Sequence, residues 1–318
     1  MRAAVDTLPK SSRRVAGYHL GWWDENGATA AASPGKAVRP ALVLLAAAAA
    51  GGSPREAVPA AVAVELVHNF SLLHDDVMDA DLTRRHRPTA WRLFGIGAAI
   101  LTGDALLTLA LDVLAASGHP ASGRAMRMLS AAVQDLVDGQ CSDMEFERRD
   151  TVEPAECERM ATSKTAALMG CCCALGGLFG GASAERVLGL RMFGEHLGLA
   201  YQHVDDQLGI WGDTATTGKP VYSDLRNKKK SLPVVAALAA EGDSGRELAA
   251  LYRGPEPPAE AELPRVAALV ATAGGRAWSQ ARTDELLAQA LHRLDAVDNG
   301  PAATELAALA RLVTRRDH

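Results

Sequence analysis

The chain has 318 residues, 48% of them hydrophobic and 22% charged, enough for one large domain with a substantial core. Its formal net charge of -5 offers no overall field that would draw nucleic acid or an anionic membrane, so any polyanion must be captured locally. Five cysteines, three of them consecutive at Cys171, Cys172 and Cys173, show neither paired metal spacing nor a disulfide framework, and the charged start lacks an uninterrupted apolar core; a soluble protein of the reducing cytoplasm, without stable membrane insertion, is expected.

Long Ala/Leu-rich segments with polar interruptions every three or four residues predict an all-α fold. The long helices fall at 36–50, 55–81, 92–116, 121–148, 154–179 and 183–212, with shorter ones to the C-terminus. Breakers such as Ser33-Pro34-Gly35, Gly51-Gly52-Ser53-Pro54 and Gly118-His119-Pro120 are too short for a flexible interdomain linker. The chain therefore reads as one domain, 1–318, with 1–15 a flexible N-terminal segment.

Polar residues break the apolar pattern at particular places. Lys36 and Arg39 stand three apart where the first long helix begins, as a phosphate grip or an ordinary basic helix start. His68 lies about two helical turns before Asp75 and shares its face, as a phosphate contact or a hydrogen-bonded core side chain. Asp75 and Asp79, four apart, project from one face within reach of one cation; Mg²⁺, which takes one or two carboxylates plus waters and phosphates, suits them. An unbroken helix would point Arg84 away from Asp75, so the helix must stop first and swing Arg84 and Arg85 back. Gln140 and Asp143 form an i, i+3 pair that reads in isolation as a solvent-facing stripe. Lys164-Thr165 interrupts an apolar run, where a buried ammonium needs an anion unless it snorkels to water. Gln202 and Asp205 share a face before Gly212. Beyond them, Thr217-Gly218-Lys219-Pro220 and Ser223 to Lys230 supply many donors, as a solvated loop or a cationic cover.

In this order the segments resemble the trans-isoprenyl diphosphate synthases, or polyprenyl synthetases, from Tyr18 to the last helices. The resemblance rests on Gly35-Lys36, Arg39-Pro40, His68, Asp75-Asp76-Val77-Met78-Asp79, Arg84-Arg85, Gly139-Gln140, Lys164-Thr165, Gln202, Asp205-Asp206, Gly218-Lys219-Pro220 and Ser223-Asp224-Leu225-Arg226. It implies a single-domain isoprenoid synthase-type helical bundle around a central deep cavity, a homodimer, and Mg²⁺-dependent head-to-tail condensation of isopentenyl diphosphate with an allylic diphosphate. Asp75, Asp79 and Asp205 would bind three Mg²⁺ ions. Arg84, Lys164 and Lys219 would hold the allylic diphosphate, and Lys36, Arg39, His68 and Arg85 the isopentenyl diphosphate. Gln140, Asp143, Thr165, Gln202 and Lys228 would support them.

Two positions depart from the family pattern: Gly209 stands where the second acidic motif commonly ends in aspartate, and Ala37 replaces a frequent basic residue. Phe70, five residues before the first motif, with Ser71 one turn below Asp75, implies a C20 limit, hence geranylgeranyl diphosphate with farnesyl diphosphate as the alternative. A class I terpene cyclase would ionise the same kind of substrate, but only 4% of the chain is aromatic and its second set of cations would have no diphosphate to hold. A noncatalytic subunit of a heteromeric synthase fits only the lost carboxylate at Gly209.

Overall fold

Strong helix formers dominate the chain, and helix forms almost wherever they run unbroken. The computed structural model describes residues 1–30, 35–213, 221–254, 256–298 and 300–315. In order come α1 (Arg2–Val5), α2 (Lys10–His19), α3 (Val38–Ala49) and α4 (Val58–Met78). A hairpin of β1 (Thr83–Arg84) and β2 (Arg87–Pro88) leads to α5 (Ala90–Phe94), α6 (Ile96–Ala115) and α7 (Ser122–Arg148). Next are α8 (Pro154–Ala161), a π turn at Thr162–Ala166, α9 (Ala167–Phe179) and α10 (Ala184–Trp211). The remainder comprises α11 (Ser223–Arg226), α12 (Leu232–Ala239), α13 (Asp243–Arg253), α14 (Leu263–Thr272), α15 (Gly275–Asp295) and α16 (Pro301–Thr314). The fold is all-α, as expected.

The chain divides into two compact units, one of Met1–Ser130 with Cys172–Val187 and one of Ala131–Cys171 with Leu188–His318. The divisions fall inside α7, α9 and α10 rather than in loops, so no linker composition marks them.

In the first unit, residues 1–15, read from the sequence as flexible, form α1 and the start of α2, because Val5 and Val15 are buried. The hairpin is tied to α2: Tyr18 donates its hydroxyl to Pro88 O at 2.7 Å, and the Arg87 guanidinium donates to Tyr18 O and Trp23 O at 2.9 Å each. The same guanidinium lies 4.0 Å from the Tyr18 ring centroid. A Cβ on Gly176 would stand 2.3 Å from Val43 O, so α9 can lie directly against α3 only with glycine there. Val64, Leu66 and Val67 of α4 are fully buried.

In the second unit, Phe146, Val152, Cys157, Leu199, Leu232 and Leu286 share one apolar core. Ile210, Leu225, Val234, Leu248, Val266 and Val270 form another. Among the described residues, two helical stretches, Ile96–Ala115 and Pro154–Phe179, are long and apolar enough to cross a membrane by length and composition, and the 18-residue apolar windows within them are 39% and 78% buried in the molecule.

Candidate functional site

At the end of α4 the backbone turns acid and base onto each other. Asp79 caps the helix, its N–H donating to Asp75 O at 2.9 Å, and Ala80 leaves it with φ 51°. Arg85 (φ 51°) and His86 (φ 62°) fill both central positions of the hairpin turn, the left-handed pair of a type I′ turn. With the helix ended at Asp79 and the backbone left-handed at Ala80, Arg84 returns to α4, as the spacing requires. Its Nε donates to Asp76 Oδ1 at 2.6 Å, and its Nη2 lies 3.7 Å from Asp75 Oδ2 and 3.9 Å from Asp81 Oδ2. Burial raises the Asp76 carboxyl to about 6, with Arg84 pulling the other way. Burial also opposes the Arg84 charge, but Asp76 and Asp75 outweigh it and raise its pKa. Asp75 and Asp79 are half-buried and one turn apart, an oxygen-only donor pair that fits a hard divalent cation.

A basic group gathers in the same unit. Arg39 Nη1 is 3.3 Å from His68 Nε2, and a Cβ on Gly35 would stand 2.8 Å from Arg85 Nη2. Burial first, then Arg39, Arg85 and Arg84, hold the His68 imidazole well below 6.5, so it is neutral at neutral pH. Burial, then Arg84, lowers Arg85 as well. Arg39 Nε and Arg85 Nη1 are buried N–H groups that find no acceptor among the described residues. Such donors cost about 1–3 kcal/mol each, more when charged, and a bound anion would remove that cost. Lys36 is exposed just ahead of α3, whose N-cap Ala37 has φ 48°.

In the second unit the π turn displays Lys164 and Thr165; π turns of this kind recur at functional sites. The turn can press on α7 only at a glycine, since a Cβ on Gly139 would stand 2.3 Å from Lys164 N. Lys164 Nζ donates to Asp143 Oδ2 at 2.6 Å, so the anion that its burial demands is at least in part Asp143, which is no mere solvent stripe. Thr165 Oγ1 donates to Gln202 Oε1 at 2.7 Å, Gln202 Nε2 to Asp206 Oδ1 at 2.7 Å, and Leu232 N to Asp206 Oδ2 at 2.8 Å. Both ends of the Gln202 amide are thereby fixed. Burial raises Asp206 to about 7, opposed by Lys229. Asp205, next to it, is exposed. The Gln140 amide nitrogen is buried without an acceptor among the described residues.

Some residues singled out by sequence are placed otherwise. Lys228 turns its ammonium to Gly254 O, whereas Lys229 lies 4.0 Å from Asp143 Oδ2, beside Lys164. The left-handed backbone at Lys228 (φ 50°) sets which lysine of the run faces that carboxylate, and no spacing rule reports it. Asp76 and Asp206, the middle residues of the two acidic motifs, were given no role by spacing, yet each organises its neighbourhood. Lys219 lies outside the described residues. Phe70 is buried with its ring edge-on to His74, centroids 4.8 Å apart, and Ser71 donates its hydroxyl to His68 O at 2.9 Å.

The family profile described as polyprenyl synthetase matches residues 22–270. The chain is 46% identical over 318 residues to a geranylgeranyl diphosphate synthase of Mycobacterium tuberculosis, covering 100% of this chain and 90% of the relative. It is 47% identical over 321 residues to a (2E,6E)-farnesyl diphosphate synthase of the same species, covering 99% and 89%. Among solved structures, a polyprenyl synthetase from Streptomyces coelicolor A3(2) superposes with a TM-score of 0.94 at 48% identity, covering 98% of this chain and 94% of that one. A geranylgeranyl pyrophosphate synthase from Corynebacterium glutamicum, complexed with isoprenyl diphosphate and magnesium, superposes with a TM-score of 0.84 at 27% identity, covering 96% and 91%.

Proposed function

This chain belongs to the polyprenyl synthetase family and is a prenyltransferase of the short-chain prenyl diphosphate type, and we propose that it adds isopentenyl diphosphate head-to-tail to an allylic diphosphate, ending at geranylgeranyl diphosphate. The observation that carries this reading is the basic group of the first unit, where half-buried Arg39 and Arg85 each have a buried N–H in want of an acceptor among the described residues. A diphosphate supplies several acceptors at once. Arg39, His68 and Arg85, with Lys36 ahead of them, bind isopentenyl diphosphate. Because His68 is held neutral, it serves as a hydrogen-bond partner without adding charge.

Arg84, Lys164 and Lys219 bind the allylic diphosphate, and Lys229 takes the part that the sequence suggested for Lys228. A divalent metal fits the carboxylates; Asp75, Asp79 and Asp205 would hold it, with Mg²⁺ the ion and three the expected number. When bound, the metal offsets charge that builds on the departing diphosphate. Thr165 and the fixed Gln202 carbonyl present oxygen lone pairs suited to a developing allylic cation, and Asp206 keeps that carbonyl from turning away. Phe70 and Ser71 bound the space for the growing chain. Family membership supports a cytoplasmic homodimer.

The test is purified protein with Mg²⁺, isopentenyl diphosphate and each of the C5, C10 and C15 allylic starters. All three should be extended to C20, and omitting isopentenyl diphosphate should abolish product, which no cyclase would require. Asp75→Ala should lower turnover by at least about 100-fold, the scale of losing one strong electrostatic stabiliser. Near-normal turnover in that variant would overturn the metal assignment.

A further inference from the structure

The hairpin that presents Arg84 and Arg85 has little to hold it by itself. Its strands are two residues each, and an isolated two-stranded hairpin is marginal in water. Arg84 stands directly opposite Arg87 in the ladder, a like-charge pair that destabilises. The two left-handed turn positions hold Arg85 and His86 in place of the glycine or asparagine such turns favour.

What fixes the hairpin is α2 and the turn after it. Arg87 donates from Nη1 to Tyr18 O and from Nη2 to Trp23 O, at 2.9 Å each, and lies over the Tyr18 ring with 4.0 Å to its centroid. Tyr18, 3% exposed, returns its hydroxyl to Pro88 O at 2.7 Å, so the two side chains tie the second strand to α2 in both directions. Tyr18 O belongs to the last turn of α2, where a cation also meets the negative end of the helix. Trp23 O is held ready for its donor: Trp23 Nε1 donates to Arg14 O at 2.9 Å, and its ring lies where a Cβ on Gly17 would stand. The cavity that Arg87 lines with Tyr18, His19, Asp76 and Arg85 measures about 20 Å³, room for a water and not for a diphosphate.

We propose that Arg87 and Tyr18 are positioning residues for the condensation: they latch the hairpin to α2 and so set where Arg84 and Arg85 meet the diphosphates, without touching substrate themselves. The N-terminal helix is thereby part of the site's construction. Lysine cannot take the place of Arg87, because one ammonium does not span two carbonyls in a plane while stacking on the ring. The assignment rests on the reading of Arg84 and Arg85 as diphosphate ligands.

The experiment compares steady-state kinetics of the unaltered chain, Arg87→Lys, Tyr18→Phe and the double variant Tyr18→Phe/Arg87→Lys. Isopentenyl diphosphate and the allylic diphosphate are varied in turn, and the folded state of each variant is checked by circular dichroism. Arg87→Lys keeps the charge and loses the planar bridge; kcat/KM should fall on the order of 100-fold, the scale of a misplacement of about 1 Å, with KM raised for both diphosphates. Tyr18→Phe removes one hydroxyl and should give the same pattern at about three- to tenfold. Because the two side chains form one latch, the double variant should fall no further than Arg87→Lys alone. Tyr18→Phe, the milder change, decides alone if Arg87→Lys does not fold. A role confined to stability would lower the thermal midpoint and leave both KM values unchanged. A direct charge contact with substrate would survive Arg87→Lys and be untouched by Tyr18→Phe. Either result overturns the assignment, as do effects that multiply in the double variant. If the unaltered chain joins isopentenyl diphosphate to none of the allylic diphosphates, the reading of Arg84 and Arg85 falls first and the assignment with it.

Discussion

Phe70 is 6% exposed and wedged on α4 between two constraints. Its ring meets His74, and the His74 imidazole is itself fixed, with Nε2 3.0 Å from Ile100 O and its ring where a Cβ on Gly103 would stand at 2.4 Å. His74 therefore blocks the aromatic on that side, and if Phe70 bounds the growing chain as proposed, product length should follow its size. Phe70→Ala should extend the main product by at least one C5 step, read by chromatography of the dephosphorylated alcohols. Truncating a buried phenylalanine costs about 3–5 kcal/mol, so Phe70→Leu, which leaves less of a cavity, should be run beside it and give a smaller shift. An unchanged product in both folded variants would remove Phe70 as the floor. The placement of single residues was legible in the sequence where it depends on spacing along one helix, as for Asp75 and Asp79 one turn apart at the end of α4. Asp76 and Lys229 were not, because their roles depend on which side chain returns to meet them: Arg84 past the helix end and left-handed Ala80, and Asp143 from a different helix.

The π turn at Thr162–Ala166 aims Lys164 and Thr165 differently from a continuous α-helix, and its backbone leans on α7 at Gly139. Gly139→Ala would set a methyl 2.3 Å from Lys164 N, so either α7 shifts or the turn does. Overpacking of this kind costs about 1–3 kcal/mol. The thermal midpoint should fall, and KM for the allylic diphosphate should rise more than KM for isopentenyl diphosphate, since the displaced lysine is assigned to the former. Equal effects on both would mean that the turn is structural only. The long helices themselves were plain in the pattern of apolar residues, with ends displaced by a few residues where caps decide them: α4 stops at Met78, not 81, because Asp79 and Ala80 take the turn. The π turn was invisible, since Met160 to Leu178 reads as helix throughout and the glycine that the turn lies against, Gly139, is on another helix. The hairpin read only as a connection, because two-residue strands carry no alternation to detect.

For the molecule as a whole, the apolar surface left on the first unit bears on assembly. Leu93 of α5 is 40% exposed, and on α6 Ile96, Ile100 and Leu101 are 54%, 37% and 67% exposed. Ile96 and Ile100 stand one turn apart on one face of α6, with Leu101 about 100° round from Ile100, so exposed apolar side chains crowd the start of this helix, and apolar surface of that kind marks sites of association. The occupant proposed is a second copy, because a two-fold contact pairs the patch with itself and requires no other partner. A bilayer is the rival, since α6 is long and apolar enough to enter one. Sedimentation equilibrium at micromolar concentration should give twice the chain mass of 33.3 kDa, and the Ile96→Asp/Leu101→Asp pair should return it to 33.3 kDa with helical content retained. Flotation with neutral phosphatidylcholine vesicles should leave the unaltered protein at the bottom of the gradient. A 33.3 kDa species in the unaltered chain, or co-flotation that the two aspartates abolish, would replace the dimer with a monomer or a membrane-bound form.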